Sequence, residues 1–262
     1  ICTDGGGITI RNREANSFST LQKGNEKSGL SSNAILDFLK TDEATLWIAT
    51  WAGGLNKYQL NTHEIKTYMG GNSLSDNEIS GNNLLAIDKD SKGNIWLAVF
   101  GEGICKFNPK TEKFTSYGAN AGLKNTQVLS LFIENKDRIW VGTRDGGLYG
   151  VNLNDDGSLA LDEFLHHEGD TFSLRNNTVN TIFQDSKNSL WVGTKNGLSK
   201  LSADNKTFTS FNVEDGLPNE SIKAIIEDKH GDLWISTNKG LCRLESDEKD
   251  KITFTSYDIT DG

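Results

Sequence analysis

Leu190-Trp191-Val192-Gly193-Thr194-Lys195-Asn196-Gly197-Leu198 is the stretch on which the fold turns. An apolar run that carries a tryptophan ends in threonine, a polar Asn-Gly turn follows, and a second apolar run begins at once. That is the grammar of a tight β-hairpin, because Asn and Gly tolerate the positive φ such turns require. Working outward, Asn177 to Phe183 reads as a preceding strand, and Asp185-Ser186-Lys187-Asn188 as the turn that joins it. Leu198 to Leu201 reads as a third strand, Ala203-Asp204-Asn205-Lys206 as a turn, and Thr207 to Phe211 as a fourth. Four short strands in succession, apolar on both faces in the middle, fit a sheet covered on both sides.

The phrase recurs around Trp47, Trp96, Trp140, Trp191 and Trp234, at steps of 49, 44, 51 and 43 residues. A period near forty-five with four apolar runs per unit is that of a β-propeller blade. Other positions keep the register. Ile35, Leu84, Val128, Val179 and Ile222 stand twelve residues before each Trp, and Phe38, Ile87, Leu131, Ile182 and Ile225 stand nine before. Thr41, Asp90, Glu134, Asp185 and Asp228 stand six before, and Phe18, Ile65, Phe114, Phe164, Phe208 and Phe254 mark the fourth strand. The spacing predicts a short insertion at Ile79 to Asn83. It also predicts a lengthened third-to-fourth hairpin from Asn154 to account for the step of 51.

Ile1 to Ile8 aligns with Ile48 to Leu55, which places the start of the chain inside a blade. The expectation is an all-β chain forming one propeller domain over residues 1–262, made of four-stranded antiparallel blades. Residues 1–21 form the outer part of one blade, and 28–70, 71–118, 119–168, 169–212 and 213–262 form five complete ones. Such an array is a fragment of a seven-bladed ring, without closure in this chain.

Bulk properties exclude several functions. A net charge of −9, a pI near 5.0 and the absence of a basic block argue against nucleic-acid binding, which needs clustered Lys and Arg. No run approaches the roughly 18 apolar residues of a membrane-spanning helix. Cys2 occupies a small-residue slot, while Cys105 and Cys242 share a slot with Asn56, Tyr149 and Ser199 in non-adjacent blades, too far apart for a disulfide. They read as free thiols. His166 and His167 read as neighbours on an exposed fourth strand, His167 in the slot of Tyr68, Tyr117, Phe211 and Tyr257, pointing to opposite faces and so not as a metal pair. The Asp-x-x-Gly-x-x-Trp phrases at Asp90 and Asp228 are similar to Asp-box turns, yet they recur too regularly to mark an active site and read as hairpin chemistry. No nucleophile elbow or phosphate loop occurs, and neither a catalytic residue nor a metal or cofactor site is expected.

The repeat resembles the two-component regulator propeller family, whose pattern is Leu-x-x-Asn, an apolar strand, an acidic turn, Leu-Trp-Ile-Gly-Thr and a Gly-Leu turn. Asn176 to Leu198 and Asn219 to Leu241 match it nearly throughout. The resemblance implies a periplasmic sensor region of a hybrid histidine kinase, non-catalytic itself, that detects glycan-derived oligosaccharides. It implies association as a homodimer, or with an adjacent propeller and β-sandwich of the same receptor. Streptogramin lyases share the architecture, so the alternative is a propeller enzyme, a lyase or a glycan-active hydrolase.

The propeller plan brings the second-to-third-strand turns and the linkers to one face around the channel. Those turns carry Asp4, then Trp51, Phe100, Arg144, Asp145, Lys195, Asn196, Asn238 and Lys239. Trp51 and Phe100 replace polar residues in adjacent blades. An aromatic face flanked by polar groups suits a sugar ring, so these residues form the expected ligand site.

Overall fold

The computed structural model describes residues 2–3, 5–12, 16–24, 29–71, 78–134, 137–246 and 252–257. Asp4 and the Ser73 to Asn77 linker phrase lie outside them. The chain is all-β and divides into two compact units, Ile1–Asp137 and Arg138–Gly262. Each follows the propeller plan of successive antiparallel blades.

In the first unit, β1 (Cys2–Thr3), β2 (Gly7–Asn12) and β3 (Ser17–Leu21) form a three-stranded sheet. Two four-stranded sheets follow, ordered as in the chain: β4 (Ile35–Lys40) to β7 (Ile65–Tyr68) through β5 (Thr45–Thr50) and β6 (Gly54–Gln59), then β8 (Leu84–Lys89), β9 (Ile95–Val99), β10 (Gly103–Asn108) and β11 (Lys113–Tyr117). The repeat of Trp140 supplies the same four strands, β12 (Val128–Ile133) in the first unit, then β13 (Ile139–Thr143), β14 (Leu148–Leu153) and β15 (Leu159–Phe164) in the second. The second unit continues with β16 (Val179–Gln184), β17 (Leu190–Thr194), β18 (Gly197–Leu201) and β19 (Phe208–Phe211). It ends with β20 (Ile222–Glu227), β21 (Leu233–Thr237), β22 (Gly240–Ser246) and β23 (Ile252–Tyr257).

All five repeat tryptophans sit on second strands. Trp47, Trp96, Trp140 and Trp191 are at most 2% exposed. Each also packs against the closing aromatic of its own fourth strand, tilted at 33° for Trp47 on Tyr68 and stacked at 23° for Trp96 on Tyr117. Residues nine before the Trp reach the preceding blade: Ile87 joins the cluster of Trp47 and Leu55, and Ile225 that of Trp191 and Leu198. This geometry explains two departures from the sequence reading. Phe38 is 49% exposed, because the described strands of the preceding sheet offer no tryptophan to cover it. Trp234 is only partly buried and rests on Tyr257, since no following sheet among the described residues packs over it.

The motif's polar letters have local causes. The threonine that ends the second strand donates its hydroxyl to the glycine carbonyl opening the third: Thr50 to Gly54, Thr143 to Gly147, Thr194 to Gly197 and Thr237 to Gly240. The aspartate six before the Trp closes the first hairpin. Asp90 accepts from the backbone N–H groups of Lys92 and Asn94 and from the Trp96 indole N–H at 3.0 Å. Asp185 and Asp228 accept from Trp191 and Trp234 in the same way. At Asp228 the Trp234 donor, followed by backbone N–H groups, holds the carboxyl below its ordinary range. The Asp-x-x-Gly-x-x-Trp phrase is therefore a structural clasp, as read.

The irregular steps need partial correction. The extra residues precede β8, but they fall between Tyr68 and Ile79 and not at Ile79 to Asn83. Ile79 stands seventeen residues before Trp96 and is buried like Leu30, Leu174 and Leu217, each seventeen before its own Trp. The 51-residue step, however, is shared. Leu148 to its partner Phe164 spans 16 positions against 13 from Leu198 to its partner Phe211, and Phe164 to Val179 spans 15 against 11 from Phe211 to Ile222. The linker after β15 thus takes more of the extra length than the hairpin. This shifts the fourth-strand register. Phe164, and not His167, fills the slot of Tyr68, Tyr117, Phe211 and Tyr257, and its ring lies tilted against Trp140 at 5.8 Å. His166 and His167 lie past the strand, where the His166 ring nitrogen Nδ1 bonds the Leu174 carbonyl at 2.8 Å.

Candidate functional site

The turns between second and third strands are built by one recurring arrangement. The first turn residue donates its N–H to the residue before its own first strand: Trp51 to Ala34, Phe100 to Asn83, Lys195 to Thr178. The glycine at the start of the third strand donates to the residue two before the next first strand: Gly54 to Asn82, Gly103 to Thr126, Gly147 to Asn177, Gly197 to Glu220. Linkers and turns are thereby tied together, and the turn side chains are carried on fixed backbone. A positive φ is needed in these loops, 59° at Ala52 and 61° at Asp145, with Gly101 filling the same position at 89°.

In the first unit Trp51 is 39% exposed and Phe100 partly buried, and their ring centroids stand 5.8 Å apart at an interplanar angle of 50°. The two rings expected to act together are therefore neighbours, forming a small tilted aromatic shelf. The turn that carries Phe100 also contributes Gly101 and Glu102 to a polar cavity of about 630 Å³.

In the second unit the corresponding turns are polar and more varied. Arg144 and Lys195 are exposed at the first turn position, as are Asn238 and Lys239. Asp145 and Asn196 have structural work. Asp145 accepts the Thr178 hydroxyl at 2.6 Å, and the Asn196 carbonyl accepts from Arg175 Nε at 3.1 Å. Among the unit's six candidate positions, Arg144, Lys195, Asn238 and Lys239 thus present side chains outward, while Asp145 and Asn196 serve chiefly to hold their loops.

Two carboxyls on first strands are raised by burial. Burial raises Asp37 to about 6, against hydrogen bonds from the N–H groups of Ile87 and Phe38, with nearby Asp88 pushing the same way as burial. Burial likewise raises Asp88, which accepts from the Ile133 and Lys89 N–H groups. Both join one first strand to the next. The thiol of Cys105 is fully buried and pushed up by burial, and Cys105 and Cys242 are free. Their slot is a polar seam: Asn56, its counterpart, accepts from the Ser31 N–H and donates to the Ser31 hydroxyl.

The sequence reading missed Glu102 and its cavity neighbours Ser80 and Asn120. They come from separate loops, so no spacing in the repeat marked them.

Comparison with known proteins gives the same repeat. The family model described as two component regulator propeller matches residues 173–196 and 216–239. The chain is 28% identical over 259 residues to histidine kinase P4 of Formosa agariphila, covering 82% of this chain and 19% of that protein. Among solved structures it resembles the extracellular domain of a hybrid two-component system from B. thetaiotaomicron, at 22% identity and a TM-score of 0.54, over 99% of this chain and 45% of that one. A one-component system's extracellular domain from the same organism superposes with a TM-score of 0.69 at 15% identity, over 97% and 41%. Virginiamycin B lyase from Staphylococcus aureus, with quinupristin, gives 0.66 at 16% identity, over 90% and 73%. These structures share the propeller fold with this chain, which spans about a fifth of the kinase relative and less than half of the two extracellular domains. No helix among the described residues is long and apolar enough to cross a membrane.

Proposed function

Since the chain carries two-component regulator propeller repeats, we propose that it is the periplasmic sensor propeller of a hybrid two-component receptor. It binds a glycan-derived oligosaccharide and passes the signal to a histidine kinase, and it is not itself a catalyst. The relatives named above support the receptor context. Association as a homodimer, or with an adjacent propeller and β-sandwich, belongs to the same reading.

The observation that carries the ligand is the Trp51–Phe100 shelf, with Trp51 exposed and Phe100 half-buried beside it. Aromatic faces take the C–H face of a pyranose while neighbouring polar groups take its hydroxyls. Arg144, Lys195, Asn238 and Lys239 are the polar candidates of the second unit. The alternative of a lyase or hydrolase would call for convergent acid and base groups. The raised carboxyls, Asp37 and Asp88, are instead committed to backbone N–H groups between first strands.

Titration calorimetry with a panel of neutral and acidic tetrasaccharides tests this. Trp51→Ala or Phe100→Ala should weaken binding several-fold, from about 1 kcal/mol lost per ring. His167→Ala, in the linker beyond β15, is the control and should change nothing. Unaltered affinity in both aromatic variants would discard the shelf, and a panel without any binder would discard the ligand class.

A further inference from the structure

The cavity beside the Phe100 turn is lined by Ser80, Glu102, Ser116, Gly118, Asn120 and Thr126, with Gly101 and two alanines. Its volume, about 630 Å³, lies within the span of roughly 300–1,000 Å³ common to small-molecule sites. Its walls are fixed. The N–H groups of Gly101 and Gly103 both bond the Thr126 carbonyl, at 3.0 and 3.2 Å, and the Glu102 N–H bonds the Val99 carbonyl at 3.0 Å. A side chain at Gly118 would place its Cβ 2.8 Å from the Glu102 carbonyl oxygen, so that wall is held to glycine.

The lining is polar and under-used. The Ser80 hydroxyl oxygen is buried against the Cys105 thiol, its polar neighbour, and makes no hydrogen bond to a nitrogen or oxygen atom among the described residues. The Glu102 carboxylate, the Asn120 amide and the Thr126 hydroxyl likewise make no hydrogen bond or ion pair among them. Glu102 and Asn120 are exposed at the rim and Thr126 is half-buried beside them, so the cavity offers hydrogen-bonding groups that the fold itself does not use. The only formal charge in the lining is that of Glu102, and no Lys or Arg balances it.

We propose that this cavity is a subsite for one uncharged sugar residue, so that the chain's ligand is a neutral oligosaccharide and not a uronate-bearing or sulfated one. The proposal rests on the oligosaccharide reading of the Trp51–Phe100 shelf, which it extends: Phe100 and Gly101 are consecutive, so shelf and cavity share one turn. The Glu102 carboxylate has two acceptor oxygens and no donor when ionised, which matches a pair of adjacent hydroxyls. Asn120 can both donate and accept, and the hydroxyls of Ser80, Ser116 and Thr126 adapt by rotation. The same carboxylate repels a uronate or sulfate, for which the cavity supplies no cation.

The test is amide NMR on the isotope-labelled chain, titrated with the methyl glycosides of glucose, galactose and mannose, and with glucuronate and galacturonate. At least one neutral glycoside should shift the amides of Glu102, Ser116, Gly118 and Asn120 with saturation. The uronates should bind on the order of tenfold more weakly. Glu102→Gln should cut neutral binding and remove the discrimination. Asn120→Ala, on an exposed turn, gives a second reading should the first variant perturb the fold. Shifts at the cavity amides with the Trp51 indole unmoved would uphold the subsite while the shelf fails. Shifts at Trp51 alone would do the reverse. Cavity amides unmoved by every neutral glycoside, or uronates binding as well as neutral sugars, would overturn the proposal.

Discussion

The cation over each core tryptophan offers a sharp test of how these blades are built. Lys57, Lys106 and Lys200 stand cross-strand from Trp47, Trp96 and Trp191, with Nζ 5.4, 5.8 and 5.1 Å from the ring centroids. In the Trp140 repeat the cross-strand partner is Gly150, and the cation comes instead from Arg138, whose Cζ lies 4.4 Å from the ring. Arg138 also pairs with Asp162 at 2.6 Å, and its Nε is buried without a partner among the described residues. A Cβ on Gly150 would overlap Arg138 Nη2. Gly150→Lys alone should therefore cost about 1–3 kcal/mol as overpacking. Arg138→Ser alone should cost about 1–3 kcal/mol, from a partly desolvated cation–π contact and a half-exposed ion pair. Together they rebuild the Ser189, Trp191, Lys200 arrangement, return a cation to the ring and remove the orphan Nε. The pair should then cost only about 1 kcal/mol, a coupling of about 2 kcal/mol. Urea unfolding followed by tryptophan fluorescence measures it, and hydrogen exchange of the β13–β15 amides localises it, since repeat arrays can unfold in parts. Costs that add to within about 0.5 kcal/mol would refute the exchange of one cation for another.

Two further outcomes follow from the same geometry. Asp37 should titrate near 6 in carboxyl-detected NMR. Because its folded value lies above the ordinary 3.8, the fold favours its protonated form. Its ionisation should therefore lower stability progressively as pH rises from about 4 to 6, with no penalty below that window and the full one above it; a midpoint near 4 would contradict the burial argument. Thr143→Val should lose about 1 kcal/mol by urea midpoint, because its buried hydroxyl donates to the Gly147 carbonyl at 2.9 Å. An unchanged midpoint would remove the reason given for threonine in the motif.

The amino-acid sequence by itself determined the repeat, the four strands of each unit, the burial of the core tryptophans and the role of the acidic hairpin residue. Each of these rests on contacts within one blade, where partners are a few residues apart and the two-residue period of a strand fixes which side chains meet. It also singled out Trp51 and Phe100, because a substitution pattern in a repeat is visible without coordinates. The tertiary structure decided whatever depends on residues about one blade apart. It brought those two rings within 5.8 Å of each other and left Phe38 and Trp234 incompletely covered, the first because the described strands of the preceding sheet carry no tryptophan, the second because no following sheet among the described residues packs over it. It moved the fourth-strand register from His167 to Phe164, because extra residues can lie in a hairpin or in a linker with equal effect on spacing. It also gathered Ser80, Glu102, Asn120 and Thr126 around one cavity. These four come from three separate loops, and no periodicity links them, so only the folding of one blade against the next could place them together.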